Sequence, residues 1–272
     1  MSGNKKSLTE RLLISDQDAY ARATRSPFLT AAAAGTLPKD VLGRWLANDR
    51  LYIHAYIKGV GQLLSALTLP DVVPTADNRT AAQGLRYGEQ LMQEELLQWL
   101  IDALVNVRRE EKFFVETAGG YGIGINLPTG AGDRVDQQTK LPGLVQFEQL
   151  FGSIGGPSDD RDDRYAWLEG AVVLYATEKC YLDAWTGARD ALGDCGDGAR
   201  DADGGALRKE FIPNWSSAEF RDFVDRLGAV IDRAFRGIDP EDRELQARVE
   251  ARALQIWKDV LCAEEAFWPA LG

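Results

Sequence analysis

The chain has a single histidine, His54, among its 272 residues. A Ser–His–Asp triad would have to use that one residue, and a ferritin-like di-iron site, which needs two Glu-x-x-His motifs, has no candidate. The three cysteines, Cys180, Cys195 and Cys262, are an odd number without a Cys-x-x-Cys pair. Neither a disulfide framework nor a metal site of the zinc type is therefore expected.

Positive charge and long apolar runs are also scarce. The 31 Lys and Arg residues are outnumbered by 42 Asp and Glu residues, and the net charge is −11. This balance disfavours a nucleic-acid partner, which needs clustered basic side chains. No apolar run approaches the roughly 20 residues that span a bilayer, so no membrane partner is expected. The N-terminal "MSGNKKSLTERLL" lacks a secretory hydrophobic region, which predicts a cytoplasmic protein.

Helical periodicity dominates the rest of the sequence and predicts an all-α, single-domain multi-helical bundle over residues 1–272. The Gly-rich segment 119–140 contains "GYGIG", but no strand pattern precedes it and no GKS/T follows, which argues against a nucleotide loop. A Gly- and Asp-rich stretch, 193–205, is predicted to be a mobile loop. The predicted helices cover 7–24, 27–37, 38–67, about 79–118 with a break or bend near Gly119–Gly120, 142–152, 163–192, 216–237 and 240–268.

Three of these helices each place one carboxylate within a stripe of aromatic residues. On the first, Asp49, Tyr52 and Tyr56 are spaced i, i+3 and i+7, whereas His54 faces elsewhere. The second repeats the spacing with Glu178, Tyr181 and Trp185, and the last carries Glu264 beside Phe267 and Trp268. Glu265 points about 100° away from Glu264 and is predicted to be solvated.

A carboxylate among aromatic rings is costly unless it is paired or protonated. Each of the three could lie at the rim of the core or satisfy a backbone group. A shared aromatic pocket, however, explains all three at once. Such a pocket suits a flat, nitrogen-rich heterocycle, because rings stack on its faces and carboxylates bind its amino and N–H edges. Raised carboxylate pKa values would also supply a general acid or base near neutral pH.

Three segments carry a resemblance to a known family. The segment "FLTAAAAGTLPKDVLGRWLANDRLYIHAYIKGVGQLLSAL", 28–67, resembles the N-terminal signature of the TenA/thiaminase II family, with Asp49 and Tyr52 as its Asp-x-x-Tyr. "FIPNWSSAEFRDFV", 211–224, is similar to a second family segment, with Trp215 where a pocket tyrosine is common. "EEAFWPAL", 264–271, makes Glu264 the counterpart of the catalytic glutamate. The resemblance covers about 28–268 and implies a heme-oxygenase-like fold.

The chain departs from the family at the position of its nucleophilic cysteine. Thr177 or Glu178 aligns there, and Cys180 lies about 200° round the helix from Glu178. "YATEKCYLDAW" resembles the branch called TenA_E, in which a glutamate replaces the cysteine. That resemblance implies a thiamin-salvage aminohydrolase or amidohydrolase acting on an aminopyrimidine or formylaminopyrimidine. It implies no metal and no organic cofactor, and a homo-oligomer, either dimer or tetramer.

These observations give a mechanism as a hypothesis. Asp49 binds the ring nitrogen or amino edge, Glu178 activates water and Glu264 passes a proton to the leaving amine. The pyrimidine stacks on an aromatic wall, for which the candidate substrate-binding residues are Tyr52, Tyr56, Trp215, Tyr181 and Phe267. The alternative is a non-catalytic pyrimidine-binding or regulatory protein, motivated by Leu144 at a usual tyrosine position. A heme protein would need His54, which lies off the stripe.

Overall fold

The computed structural model describes residues 6–71, 81–130, 134–156, 165–193, 196 and 198–271, with the side chains of 81–89 excepted. The predicted helix starts near 79 and at 163, and Cys195, lie outside the described residues. Within these ranges the chain is all-α, and its one β pairing is a bridge between Thr129 and Val135. The helices are α1 (Leu8–Ser15), α2 (Gln17–Thr24), α3 (Pro27–Ala33), α4 (Lys39–Ala66), α5 (Ala81–Tyr121), α6 (Pro142–Ser153), α7 (Ala166–Asp190), α8 (Ile212–Trp215), α9 (Ala218–Arg236) and α10 (Arg243–Glu265).

Side-chain caps set several of the helix starts. Ser7 and Glu10 form a reciprocal capping box at α1. The helix predicted over 7–24 is divided in two, because the Asp16 side chain accepts the Ala19 N–H and starts α2. Ser217 caps α9 and Asp242 caps α10 in the same way. A polar side chain that satisfies a free N–H at a helix start stabilises that boundary by about 1 kcal/mol.

Helix α5 continues through Gly119 and Gly120, where a break or bend was predicted. It ends one residue later, at Tyr121, and the next residue, Gly122, has a φ of +65°, which favours glycine. The Gly122 N–H bonds the Gly119 carbonyl at 3.2 Å and the Ile123 N–H bonds the Ala118 carbonyl at 2.8 Å. These two bonds form a Schellman motif, which satisfies carbonyls at the helix end.

The helices pack around α4, α7 and α10, the three that carry the predicted carboxylates. Helix α4 lies against α5, α6 and α7, while α7 also contacts α9 and α10. Helix α10 contacts α2 and α6. Fully buried Trp45 on α4 lies within this core and touches the rings of six other aromatic residues, namely Phe28, Tyr181, Trp185, Trp215, Phe267 and Trp268.

The described part of 193–205 folds into hydrogen-bonded turns. Asp203 is buried and accepts the N–H groups of Gly205 and Leu207 at 2.9 and 2.7 Å. Asp201 pairs with Arg208 at 2.7 Å. The mobility of this segment stays a prediction. None of the helices in the described ranges has both the length and the apolar content needed to cross a bilayer.

Candidate active site

A cavity of about 220 Å³ lies between α4, α5, α7, α8 and the start of α9. Its wall combines aromatic rings with carboxylates. Helical spacing explains the composition, since residues three, four and seven apart share a face. The residues that matter for its chemistry are Asp49, Tyr52 and Tyr56 of α4, Asn106, Arg109, Glu110 and Phe113 of α5, Glu178 and Tyr181 of α7, Asn214 and Trp215 of α8, and Glu219, Phe220 and Phe223 of α9.

Asp49 is 3% exposed and lines this cavity. The Tyr181 hydroxyl donates a long hydrogen bond of 3.4 Å to its Oδ2 atom. Burial raises the pKa of Asp49 well above its ordinary value; the nearby Glu110 and Glu178 charges add to the rise, and the Tyr181 bond opposes it. Burial without a cationic partner therefore disfavours the ionised form of Asp49.

Glu178 reaches the cavity from α7. Burial raises its pKa to about 8, the neighbouring Tyr56 hydroxyl opposes the rise, and the Glu110 charge adds to it. The Tyr56 hydroxyl is buried beside Glu178, which stabilises the ionised form of that carboxyl. A carboxyl that titrates near neutral pH can serve as a general acid or base under ordinary conditions.

Glu110 is a third cavity carboxylate, and it was not singled out from the sequence. The Trp215 indole N–H donates to its Oε1 atom at 2.7 Å. Burial raises the pKa of Glu110 to about 7, against the effect of the Trp215 bond and the Arg109 charge. In the sequence it is hidden in the charged run "RREEK", 108–112, which is typical of a solvated helix face. The signal that could have found it is the i−4, i+3 spacing to Asn106 and Phe113.

Two of the predicted site residues, Glu264 and Phe267, lie behind the cavity wall rather than on it. Glu264 is 2% exposed, and burial raises its pKa well above the ordinary value, with further contributions from Asp49 and Glu178. Phe267 packs against the Tyr52 ring at 5.8 Å between centroids. Glu264 is therefore within electrostatic reach of the cavity, and Phe267 supports one of its rings. The other predicted residues line it, namely Asp49, Glu178, Tyr52, Tyr56, Tyr181 and Trp215.

The orientation of α7 shows whether Thr177 or Glu178, the two residues that align with the family's cysteine, faces the cavity. The Thr177 hydroxyl donates to the Val173 carbonyl at 2.8 Å and is committed to the backbone. Cys180 is buried outside the cavity, and burial raises the pKa of its thiol well above the ordinary value. Glu178 is the residue that presents its side chain to the cavity.

Leu144 and His54 also lie away from the site. Leu144 is fully buried on α6, a helix that contributes no described residue to the wall of this cavity. Leu144 itself is therefore not part of the cavity wall. The His54 Nε2 atom lies 2.8 Å from Glu111 Oε1 on the partly exposed side of α4. Glu265 forms a surface pair with Arg22 at 2.9 Å, which matches its predicted solvation.

Within the described part of the chain, no group of three or more His, Cys, Asp or Glu side chains is arranged to hold a metal ion. The cavity carboxylates instead alternate with aromatic rings. Tyr181 and Trp215 meet edge to face at 5.7 Å, and Tyr52 lies 6.1 Å from Tyr56. Such a wall can hold a flat heterocycle by its faces while carboxylates bind its polar edge.

Comparison with known proteins finds similar folds at low sequence identity. No family model matches the chain. A curated protein of Fusarium pseudograminearum (strain CS3096), named a probable transcription factor, is 23% identical over 285 residues, which cover 93% of this chain and 51% of the relative. The chain thus spans about half the length of the curated relative it matches.

Solved structures resemble the chain over almost its whole length. A TenA homologue from Pyrococcus furiosus superposes with a TM-score of 0.66 at 20% identity, covering 96% of this chain and 98% of that chain. A TenA homologue from P. horikoshii OT3 superposes with a TM-score of 0.61 at 15% identity, covering 97% of each chain. A TenA family transcription regulator from Silicibacter sp. TM1040 superposes with a TM-score of 0.58 at 14% identity, covering 98% of this chain and 97% of that chain. The chain therefore has the all-helical, heme-oxygenase-like fold of the TenA homologues.

Proposed function

We propose that the protein is a cofactor-independent hydrolase of the TenA/thiaminase II family, in the TenA_E branch that lacks the nucleophilic cysteine. Its substrate is an aminopyrimidine, from which it releases ammonia, or a formylaminopyrimidine, from which it releases formate. The observation that carries this proposal is the aromatic cavity holding Asp49, Glu110 and Glu178 together.

The ring of the substrate lies between aromatic side chains, with Tyr52 on one wall and Trp215 on another. Asp49 binds the ring nitrogen or the amino edge, where its raised pKa favours sharing a proton with a weakly basic nitrogen. Holding the ring in one orientation brings the scissile carbon to a fixed place in the cavity, which lowers the entropic part of the barrier.

Glu178 activates the attacking water. A carboxylate with a pKa of about 8 is a stronger base than an ordinary glutamate, and a large fraction is ionised near that pH. Water attacks the substrate directly in this proposal, because Glu178 occupies the wall where a thiol nucleophile would be needed. With an aminopyrimidine, the oxygen of water replaces the amine, which leaves as ammonia. With a formylaminopyrimidine, water attacks the formyl carbon, the bond between that carbon and nitrogen breaks, and formate leaves while the amine stays on the pyrimidine.

Glu264 supplies the proton for the leaving amine. Burial raises its pKa well above the ordinary value, which favours the protonated form. Since it lies behind the wall, we assign the final transfer to Asp49 or Glu178, both of which contribute to its raised pKa. Glu264 is then a positioning residue and proton store.

The second candidate is a non-catalytic pyrimidine-binding or regulatory protein. It is favoured by the names of the Fusarium relative and the Silicibacter protein, each of which refers to transcription, and by the position of Glu264 behind the cavity wall. The acidic net charge of −11 opposes direct contact with a nucleic-acid backbone.

Turnover separates the two candidates. The purified protein is incubated with an aminopyrimidine and a formylaminopyrimidine while ammonia and formate are measured. We expect Glu178→Gln and Glu264→Gln each to reduce turnover by about 10²-fold or more. Cys180→Ala, a change on the same helix away from the cavity, should leave turnover unaltered.

Ligand-induced thermal stabilisation without product from either compound would reject the hydrolase and favour the binding protein. Loss of turnover in folded Cys180→Ala would show that the thiol takes part. Assembly as a dimer or tetramer and cytoplasmic location remain part of the proposal, and light scattering tests the first.

A further inference from the structure

We propose that Glu110 selects the charge of the ligand, so that the cavity takes an aminopyrimidine carrying a positively charged arm and Glu110 binds that arm. This inference rests on the proposed function for the pyrimidine ring, and it adds the charge of the substrate and the residue that recognises it. Glu110 acts here as a specificity-determining residue that touches the ligand.

The position of Glu110 is fixed before any ligand arrives. Its Oε1 atom accepts the Trp215 indole N–H at 2.7 Å, and the Trp215 ring is itself held edge-on by Tyr181 at 5.7 Å and Phe114 at 5.6 Å. No other hydrogen bond or ion pair within the described ranges reaches this carboxylate. One oxygen is thus anchored, and the other is left to bind a donor in the cavity.

The wall holds buried carboxyl groups whose ionised form has no matching cation beside it. Of the described residues that line the cavity, Arg109 is the only basic one, and its side chain is 66% exposed and lies 3.4 Å from Glu219 at the mouth. The Arg109 charge acts on Glu110, but no described basic side chain forms an ion pair with Asp49, Glu110 or Glu178. Carboxylates in a partly desolvated site repel each other, and a bound cation relieves that repulsion.

Two further features of the wall fit a protonated amine. Tyr56 is 1% exposed and lines the cavity, and its hydroxyl lies beside Glu178. The hydroxyl oxygen can accept a hydrogen bond from a ligand amine. The rings of Phe113, Trp215 and Phe220 surround the α5 side of the cavity, and aromatic faces attract cations. A neutral arm of the same shape would lack the attraction to these rings.

The test compares two 4-aminopyrimidines of equal size, one with a 2-aminoethyl arm and one with a 2-hydroxyethyl arm. Only the first carries a positively charged arm at neutral pH. Calorimetry measures binding while ammonia is assayed in the same samples, so that heat from any hydrolysis is identified. We expect the native protein to prefer the charged compound by about 10- to 100-fold, as one desolvated ion pair allows.

Glu110→Gln should abolish most of this preference while changing the affinity for the neutral compound less than threefold. Glu219→Gln removes a mouth carboxylate that is 77% exposed and should keep the preference, since an exposed pair contributes little. Equal affinities in the native protein, an unchanged preference in Glu110→Gln, or equal weakening of both compounds would overturn the inference.

A second measurement needs no variant. Glu110 has a pKa of about 7 and is faced by Trp215 of α8, Asp49 of α4 and Glu178 of α7. The cation should ionise it and release protons at pH 7, seen as a dependence of the binding heat on buffer. Equal proton release by both compounds would overturn the inference. Binding without turnover in the hydrolysis assay would reject the hydrolase and leave the charge preference standing, whereas no binding of either compound would reject both.

Discussion

At the scale of single residues, the neighbours Asn48 and Asp49 on α4 differ in how many hydrogen bonds they make with the rest of the protein. Asn48 is fully buried and accepts the Leu141 N–H at 2.8 Å, while its amide donates to the Arg44 carbonyl at 2.8 Å. It thereby joins α4 to the start of α6. Asp49, the next residue, lies in the cavity with one long hydrogen bond. The first residue is bound into the fold, and the second is left available for a ligand.

The neighbours should therefore respond differently to substitution. We expect Asn48→Ala to reduce the free energy of unfolding by about 1 to 3 kcal/mol, because a buried N–H is left unsatisfied, and to retain turnover. Asp49→Asn should lower turnover by about 10²-fold without loss of stability at neutral pH, since it removes a carboxyl whose ionisation burial opposes. Urea titration and the ammonia assay provide the measurements.

The reverse pattern would contradict this division of roles. A strongly destabilised Asp49→Asn variant would indicate that Asp49 is a structural residue. An inactive but fully stable Asn48→Ala variant would place Asn48 in the site.

At the scale of elements, the end of α10 is positioned by the start of α6. Gly143 donates its N–H to the Ala266 carbonyl at 3.0 Å. A Cβ atom on Gly143 would lie 2.3 Å from the Ala263 carbonyl oxygen and 2.4 Å from the Phe267 nitrogen. Only glycine allows this approach, which sets where Glu264 and Phe267 lie behind the cavity.

Gly143→Ala should therefore affect both stability and the site. We expect a loss of about 1 to 3 kcal/mol from overpacking and weaker ligand binding, because Phe267 supports the Tyr52 ring. The matched control is Gly152→Ala on the same helix, where an added Cβ meets nothing within 4 Å. It should be neutral or stabilise by up to about 1 kcal/mol.

Thermal unfolding and calorimetry with a pyrimidine ligand measure both effects. Equal stability of the two variants would show that α6 and α10 can move apart without cost.

At the scale of the whole molecule, the cavity carboxylates couple folding to pH. The pKa of Glu178 rises from 4.5 to about 8 on folding, and that of Glu110 rises from 4.5 to about 7. Between those limits the folded chain binds more protons than the unfolded chain. The free energy of unfolding therefore falls as pH rises from about 4.5 to 8.

We expect the ligand-free protein to be more stable in urea at about pH 5.5 than at about pH 8. Glu178→Gln removes part of this pH dependence. Its free energy of unfolding should exceed that of the native protein by about 2 kcal/mol at the higher pH and by less at the lower pH. Glu219→Gln, exposed at the mouth, should follow the native curve. A native stability that rises with pH, in parallel with that of Glu178→Gln, would refute the coupling.

Local sequence signals were sufficient to predict the positions of most helices. Apolar periodicity and the Pro38 start placed α4, and Gly237 with Pro240 marked the turn between α9 and α10. Helix α10 begins at Arg243, three residues after Pro240, because Asp242 caps it. The same periodicity put Asp49, Tyr52 and Tyr56 on one stripe of α4, because helical spacing is a property of the chain itself. It missed the break at Asp16, since a cap inside an apolar pattern competes with helix continuation.

Only the tertiary structure decided which of the aromatic helix faces line the same cavity. Periodicity gives the face of a helix but not the depth of the neighbour packed on it, so it could not distinguish Glu178 on the cavity wall from Glu264 behind that wall. It also missed Glu110, because the charged run 108–112 resembles a solvated face and the spacing to Asn106 and Phe113 is a weak signal. The sequence by itself determined the helices and their faces, through local spacing and caps. Packing between distant helices decided the cavity and its three carboxylates, because burial and charge proximity arise only between elements.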